Sequence, residues 1–373
     1  MTGCDIAIIG AGMAGASLAA AIGTRARVAL IEAEAHPGYH ATGRSAAFWS
    51  EIYGGPGVQP LTTASGPFLR DPPADYGAES FLVPRGELWI ARAGDSTPLD
   101  SLESEFADSE VAMERRAPGA MVSGIRPDWS EGLFVPSCTD IDVARLHQAF
   151  LKVARRSGTE LRCDSPLVAA ERRAASGWRL TLGRGEVLEA AILVNAAGAW
   201  ADPVAAIAGA SPLGIRPYRR TVLQLRVDPP APDSLPLVQD AHGGFYFKPE
   251  PGGRLWLSPH DETPMAPGDV APDEIDVALA IDRLQQVVDW RIAAVERKWA
   301  GLRSFAPDRL PVYGFAPDCR DFFWFAGQGG FGIQTAPAAA WIGAALLLDT
   351  PLPAMVQNVD VARYAPERFR IQR

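Results

Sequence analysis

Apolar positions along this chain fall into two patterns. The first is the unbroken run: Ile6-Ala7-Ile8-Ile9, the stretch from Arg27 to Ile31, Ala191-Ile192-Leu193-Val194, and Phe322-Phe323-Trp324-Phe325-Ala326. Short runs of this kind, bounded by glycine or small residues, predict buried strands. Helical segments accompany them. Met13 to Gly23 is small and helix-compatible, and Ala336 to Leu348 is a second helix of small residues. Between these, Val143, Leu146, Phe150 and Val153 recur at helical spacing, with Asp140 or Asp142 as the cap and Gly158 as the stop.

The second pattern is the short strand among turns. Gly54 to Pro73 is punctuated by Pro and Gly, and Phe81 to Ala91 reads as a strand or hairpin of another domain. The first pattern resumes near Asp140, followed by short strands at Leu161 to Cys163, Leu167 to Ala170, Trp178 to Leu182 and Val187 to Glu189. Further strands are predicted at Thr221 to Val227, Gly244 to Phe247 and Leu255 to Ser258, and a helix from Asp273 to Trp290. The expected division is therefore discontinuous. Residues 1–50, 140–212 and 301–373 form one α/β domain; residues 51–139 and 213–300 form the other.

Composition changes this picture little. A chain of 373 residues exceeds one typical core, which favours two domains. Hydrophobic residues at 47% and charged residues at 21% describe a globular protein, neither disordered nor membrane-embedded. The nearly uninterrupted apolar run Ala336 to Leu348 is too short to span a bilayer, so no transmembrane segment is expected. The N-terminal run lacks a basic flank and carries Asp5, which argues against a signal peptide. Cys4, Cys138, Cys163 and Cys319 are scattered and form no CxxC pair; no metal site is expected, and a reducing cytoplasm fits. A net charge of −9 disfavours a nucleic-acid partner.

The chemistry enters at Gly10-Ala11-Gly12-Met13-Ala14-Gly15, a GxGxxG turn between the first strand and the first helix. Gly10 permits the tight turn, Gly12 lets a pyrophosphate approach the backbone, and Gly15 lets helix and strand pack closely. The phosphates then meet a helix N-terminus, whose free N–H groups favour negative charge. Glu32, followed by Ala33, ends the second strand, where its carboxylate accepts hydrogen bonds from a ribose diol and repels a 2′-phosphate. FAD or NAD fits this unit, and NADP does not. Two further small-residue turns follow buried strands: Asn195-Ala196-Ala197-Gly198-Ala199-Trp200, and Gly327-Gln328-Gly329-Gly330-Phe331-Gly332-Ile333-Gln334 before the last helix. Glycine turns at opposite ends of the chain suit one long cofactor.

Together these motifs resemble the D-amino-acid oxidase superfamily of FAD oxidoreductases. The resemblance covers nearly the whole chain and includes Ala41-Thr42-Gly43-Arg44-Ser45-Ala46-Ala47 and Trp299-Ala300-Gly301-Leu302-Arg303-Ser304-Phe305. Within the superfamily the chain looks most like D-arginine dehydrogenases, through Gly38 to Ala47, Arg219-Arg220, Phe245-Tyr246-Phe247-Lys248-Pro249 and Gln328 to Gln334.

The resemblance implies a Rossmann-like FAD-binding domain and a second α+β substrate domain whose antiparallel sheet covers the flavin. It implies cofactor contacts from Gly10, Gly12, Met13, Ala14, Gly15, Glu32 and Ala33, and from Thr42, Gly43, Arg44, Ser45 and Ala46 along the pyrophosphate and isoalloxazine. Ala197, Gly198, Trp200, Gly301 and Arg303 belong to the same set. Gly329, Gly330, Phe331, Gly332, Ile333 and Gln334 would aim the last helix start at the flavin N1 and C2 carbonyl region. Some relatives attach FAD covalently through a cysteine before a Pro-Asp pair; Ser304-Phe305-Ala306-Pro307-Asp308 has none, so non-covalent FAD is expected.

The resemblance also assigns a substrate site. Arg220 and Arg303 match carboxylate binders, a task suited to a planar guanidinium. Neighbouring strand residues face opposite sides, so only one of Arg219 and Arg220 enters the site, and the motif favours Arg220. Tyr53 and Tyr246 match tyrosines that hold or cover the substrate, and Glu87 matches the acid that faces a substrate guanidinium. Phe48 stands where the D-arginine enzymes carry a histidine, and Gln239, in Pro236-Leu237-Val238-Gln239, replaces an apolar residue. The Glu87 match implies selection of a basic side chain, with D-arginine as the candidate substrate, whereas these two departures point the pocket toward neutral or aromatic D-amino acids; both readings stay open. The implied reaction is oxidative deamination of a D-amino acid to an imino acid, which hydrolyses to a 2-oxo acid and ammonia, with quinone, dye or oxygen as acceptor. A sarcosine- or glycine-type amine oxidase, a 2-hydroxy-acid oxidase, an NAD-dependent dehydrogenase and a catalytically idle flavoprotein are the alternatives.

Overall fold

The computed structural model describes residues 3–174 and 176–369. The apolar runs form a parallel sheet. Gly3–Ile9 lies at its centre between Val28–Ile31 and Val187–Asn195; Glu160–Arg162 extends it beyond Val28–Ile31, and Phe322–Ala326 pairs with the C-terminal end of Val187–Asn195. Antiparallel strands finish it: Leu167–Arg172 and Trp178–Leu182 at one side, and Val312–Phe315 beside Phe322–Ala326. The runs lack polar alternation because both faces are covered. On one face the helices Met13–Ile22, Val143–Arg156 and Ala336–Leu347 share a core with Ile6, Ile8, Leu30 and Phe323. On the other, Ala7, Ile9, Ala29, Leu193 and Trp324 pack with Trp178 and the helix Ala201–Ile207.

The second sheet is organised by two long antiparallel strands, Arg216–Asp228 and Arg291–Phe305. Arg254–Ser258, Tyr246–Glu250, Leu237–Asp240, Glu87–Ala91 and Glu131–Val135 continue outward from the first of these. All these pairings are antiparallel except Leu237–Asp240 with Glu87–Ala91, which is parallel. The helix Glu274–Val287 closes its core with Val277, Ala280, Leu284 and Val287, and Asp273 caps it by accepting from Ile275 N. A small sheet of Phe48–Trp49, Thr139–Ile141 and Leu82–Pro84 lies where the chain passes between the larger ones.

Three local readings are corrected. Phe81 to Ala91 is not a hairpin: Leu82–Pro84 and Glu87–Ala91 join different sheets, separated at Gly86, whose φ of 75° only glycine adopts without strain. Asp142 rather than Asp140 caps the helix Val143–Arg156, accepting from Arg145 N at 3.0 Å. The segment punctuated by Pro and Gly contains a helix, Gln59–Arg70. Pro60 sits in its first turn, where no N–H is needed, and Gly66 lets the Trp49 ring approach, for a Cβ there would stand 2.9 Å from Trp49 Cζ2. Leu61, Phe68 and Leu69 of this helix pack into the core of the parallel sheet, although the expected division groups them with the other domain.

Among the described residues no helix is long and apolar enough to cross a membrane, and no group of His, Cys, Asp or Glu could hold a metal ion.

Candidate functional site

A cleft lies between the C-terminal ends of the parallel strands and the face of the second sheet. One end is the GxGxxG turn. Gly10 takes φ 101°, and a Cβ on it would lie 2.5 Å from Ala196 O; a Cβ on Gly15 would lie 1.9 Å from Gly10 O. Those two glycines serve backbone packing, whereas Gly12 lines the cleft, where a Cβ would meet only Thr42 Oγ1 at 3.2 Å. That hydroxyl accepts from Met13 N at 2.9 Å and ties the turn to the 38–46 loop. Glu32 also lines the cleft. Its oxygens accept from Ala11 N (2.9 Å) and Glu34 N (3.1 Å), and each oxygen can accept another hydrogen bond. His147 Nε2–H donates to Ala11 O at 2.9 Å, since a carbonyl only accepts, and burial lowers the pKa of this imidazole.

Of the other residues assigned to the cofactor, Met13, Ala14, Thr42, Arg44, Ser45, Ala46, Ala197, Gly198, Trp200, Gly301, Arg303, Gly329, Gly330, Gly332 and Ile333 line the cleft. Six do not. Gly10 and Gly15 lie behind the turn, Ala33 is exposed, and Gly43 packs on Gly38 O. Phe331 stacks edge-on against Tyr53 and Phe305. Gln334 is buried and accepts from Ser50 N while donating to Tyr53 O and Thr62 Oγ1. The last helix does not present a free start. Ala338 N donates to Ser65 Oγ on Gln59–Arg70, so the 328–333 turn, rather than the helix, faces the cleft. Arg44 spends its guanidinium on the chain opposite: it pairs with Asp269 at 2.5 Å and donates to Ala300 O and Val270 O.

At the other end the second sheet contributes charge. Arg220 and Arg303 lie two strand positions apart in neighbouring antiparallel strands, where Arg220 pairs with Gly301 and Tyr218 with Arg303. Both line the cleft. Arg220 is only 4% exposed; Nη2 pairs with Glu262 at 3.1 Å, while Nε and Nη1 have no protein partner. Burial, and then the charge of Arg303, lower its pKa to about 10. Arg219 turns away from it, toward Asp276 at 2.7 Å, as strand alternation requires. Arg303 Nη1 donates to Tyr53 Oη at 2.8 Å. Tyr246 lines the cleft, and Phe48 packs between the two tyrosines, with ring centroids 5.0 Å from Tyr53 and 6.5 Å from Tyr246.

Of the residues assigned to the substrate, Phe48, Tyr53, Glu87, Leu237 and Gln239 do not line the cleft, and Glu87, Leu237 and Gln239 are fully or almost fully buried. Sequence reasoning missed Val222, two residues along the strand from Arg220 and on the same face, and Glu262, which is held beside Arg220 by Arg309 as well. Strand alternation could have found Val222. Nothing in the local pattern marks Glu262.

A glycine turn open toward a cleft, an acid at the end of the second strand and a second glycine turn opposite define a dinucleotide-binding oxidoreductase fold. The sequence model for the family described as FAD dependent oxidoreductase matches residues 5–346, and the chain belongs to that family. Its cofactor is FAD, and the open side of Gly12, the Glu32 carboxylate and the cradle at Gly301 and Gly330 suit that long ligand. Among curated proteins, hydrogen cyanide synthase subunit HcnC of Pseudomonas aeruginosa is 24% identical over 224 residues, covering 60% of this chain and 52% of that protein. The tRNA 5-methylaminomethyl-2-thiouridine biosynthesis bifunctional protein MnmC of Shewanella amazonensis is 26% identical, covering 84% of this chain and 48% of that protein. The chain spans about half the length of these relatives. Similar solved structures include glycine oxidase from Geobacillus kaustophilus (TM-score 0.80, 23% identity, 94% and 96% of the two chains) and L-proline dehydrogenase from P. horikoshii (TM-score 0.83, 20% identity, 98% and 97%).

Proposed function

We propose that this protein catalyses FAD-dependent oxidative deamination of a D-amino acid. The observation that carries the reading is the buried guanidinium of Arg220, with two nitrogens lacking a protein partner, beside a second cleft guanidinium, Arg303. Buried donors without an acceptor are costly, so these free guanidinium nitrogens call for an anionic ligand group, and a carboxylate matches a guanidinium in shape and charge. FAD, when bound, would supply the two-electron acceptor for the substrate Cα–H. Arg220 and Arg303 hold the carboxylate; Tyr53 fixes Arg303, and Tyr246, backed by Phe48, excludes water from the reacting end. Loss of the hydride and of an amine proton leaves the imino acid, to which water adds, releasing ammonia and a 2-oxo acid. Similarity to an enzyme named glycine oxidase and one named L-proline dehydrogenase supports amine oxidation, while the motif resemblance supports the D configuration. Among the described residues no cysteine lines the cleft.

The test is anaerobic addition of D-amino acids, their L-isomers, sarcosine and a 2-hydroxy acid to the holoenzyme, following the flavin band near ~450 nm. Bleaching by D-isomers with release of ammonia is expected. Bleaching confined to L-isomers, sarcosine or the hydroxy acid would overturn the reading. Reoxidation in air against reoxidation by a quinone then separates oxidase from dehydrogenase.

A further inference from the structure

Close to the aromatic end of the cleft lies a carboxyl group that the proposed deamination leaves unused. Glu87 has no solvent exposure. Its Oε2 accepts from Ser50 Oγ at 2.6 Å and its Oε1 accepts from Gln239 Nε2. Both donors are neutral and buried, Ser50 at 0% and Gln239 at 1% exposure. Burial pushes the Glu87 carboxyl up to about 7, against the opposing pull of these hydrogen bonds.

Strand register places this group relative to the cleft. Leu237 pairs with Glu87 and Gln239 pairs with Tyr246, so these four side chains share one face of the sheet. Tyr246 is the member that lines the cleft, and the strand carrying Gln239 lies between those of Tyr246 and Glu87. Phe48, Leu237 and Tyr246 pack together with Ala46 in one apolar cluster. A substrate side chain directed to this end meets Ala46 and Tyr246, with Phe48 and Leu237 packed behind them, and the Glu87 carboxyl beyond already accepts from Ser50 and Gln239.

Resting on the deamination reading, we propose that Gln239 and Phe48 make the side-chain subsite neutral and apolar: Gln239 occupies the Glu87 carboxyl, and Phe48 backs the wall formed by Ala46 and Tyr246. Amino acids with uncharged apolar or aromatic side chains are then the substrates, and cationic ones are disfavoured because a buried ammonium or guanidinium finds no free carboxylate.

The experiment compares anaerobic flavin reduction by D-phenylalanine, D-methionine, D-arginine and D-lysine in the wild-type holoenzyme and in Gln239→Leu, alone and combined with Glu87→Gln. The wild type is expected to favour the first two by at least about tenfold in kcat/KM, the range that single pocket contacts supply. Gln239→Leu should raise the D-arginine to D-phenylalanine ratio several-fold, and adding Glu87→Gln should cancel that rise. A wild type that prefers D-arginine overturns the inference, as does a ratio unmoved by Gln239→Leu. The wild-type ratio needs no variant, so the inference stays exposed if Gln239→Leu does not fold. Reduction by amino acids with a cationic preference sinks this inference alone; no reduction by any amino acid sinks the deamination reading with it.

Discussion

Arg303 donates a 2.8 Å hydrogen bond from Nη1 to the hydroxyl of Tyr53, 250 residues earlier in the chain. The contact joins the second sheet to the turn after Phe48–Trp49 and fixes one of the two cleft guanidiniums. Tyr53→Phe keeps the ring packing against Phe48 and Phe331 and removes only the acceptor. A hydrogen bond to a charged group contributes about 1.5–3 kcal/mol, so amino-acid binding should weaken roughly 10- to 100-fold. The check is substrate-analogue affinity by flavin spectral perturbation, beside a thermal melt that should fall by only a few degrees.

Arg220→Lys retains a charge but loses the planar fork. If the unpartnered Nε and Nη1 grip a carboxylate, kcat/KM for the best amino acid should fall about 100-fold, equivalent to ~3 kcal/mol. Turnover of the corresponding amine without a carboxylate should change little. Measuring both substrates distinguishes lost recognition from general damage, which would lower the two alike.

The two inner glycines of the first turn should fail differently. A Cβ at Gly15 collides with Gly10 O, a backbone atom that cannot swing away, so Gly15→Ala should destabilise the protein by about 1–3 kcal/mol with or without FAD. At Gly12 the added methyl meets only the Thr42 hydroxyl at the cleft wall. Gly12→Ala should therefore weaken FAD binding while leaving the apoprotein melting temperature nearly unchanged. FAD fluorescence titration and melts of both apoproteins make the comparison.

Glu87 gives a pH dependence of definite sign. Its carboxyl rises from an ordinary 4.5 to about 7 in the folded protein, so the unfolded chain ionises first as pH increases. Its contribution to stability falls from about pH 4.5 until pH passes about 7 and is level above that, a change on the order of 3 kcal/mol. Glu87→Gln removes the titration, so the wild type should lose more stability than the variant between pH 5 and pH 8. Parallel curves from denaturant melts would count against the raised value.

Legibility in the sequence followed locality. Ile6 to Ile9, the Gly10 to Gly15 turn and the capped Val143–Arg156 helix could be read because period, glycine geometry and capping act over a few residues. Gln59–Arg70 was hidden by Gly66 and Pro67, which lower helix propensity; docking restores the helix, with Trp49 donating to Thr62 O and Phe68 and Leu69 in the core.

By itself the sequence determined the dinucleotide turn, the family, the alternation that sends Arg220 and Arg219 to opposite sides, and the strand carrying Glu87. Only the tertiary structure decided that Arg44 clasps Asp269, that Glu262 stands beside Arg220, that Ser65 takes up the last helix start, and that Gln239 closes over Glu87. The physical reason is common to all four. Each joins groups from distant parts of the chain, and hydrogen bonds and ion pairs across such distances leave no periodic trace in the sequence.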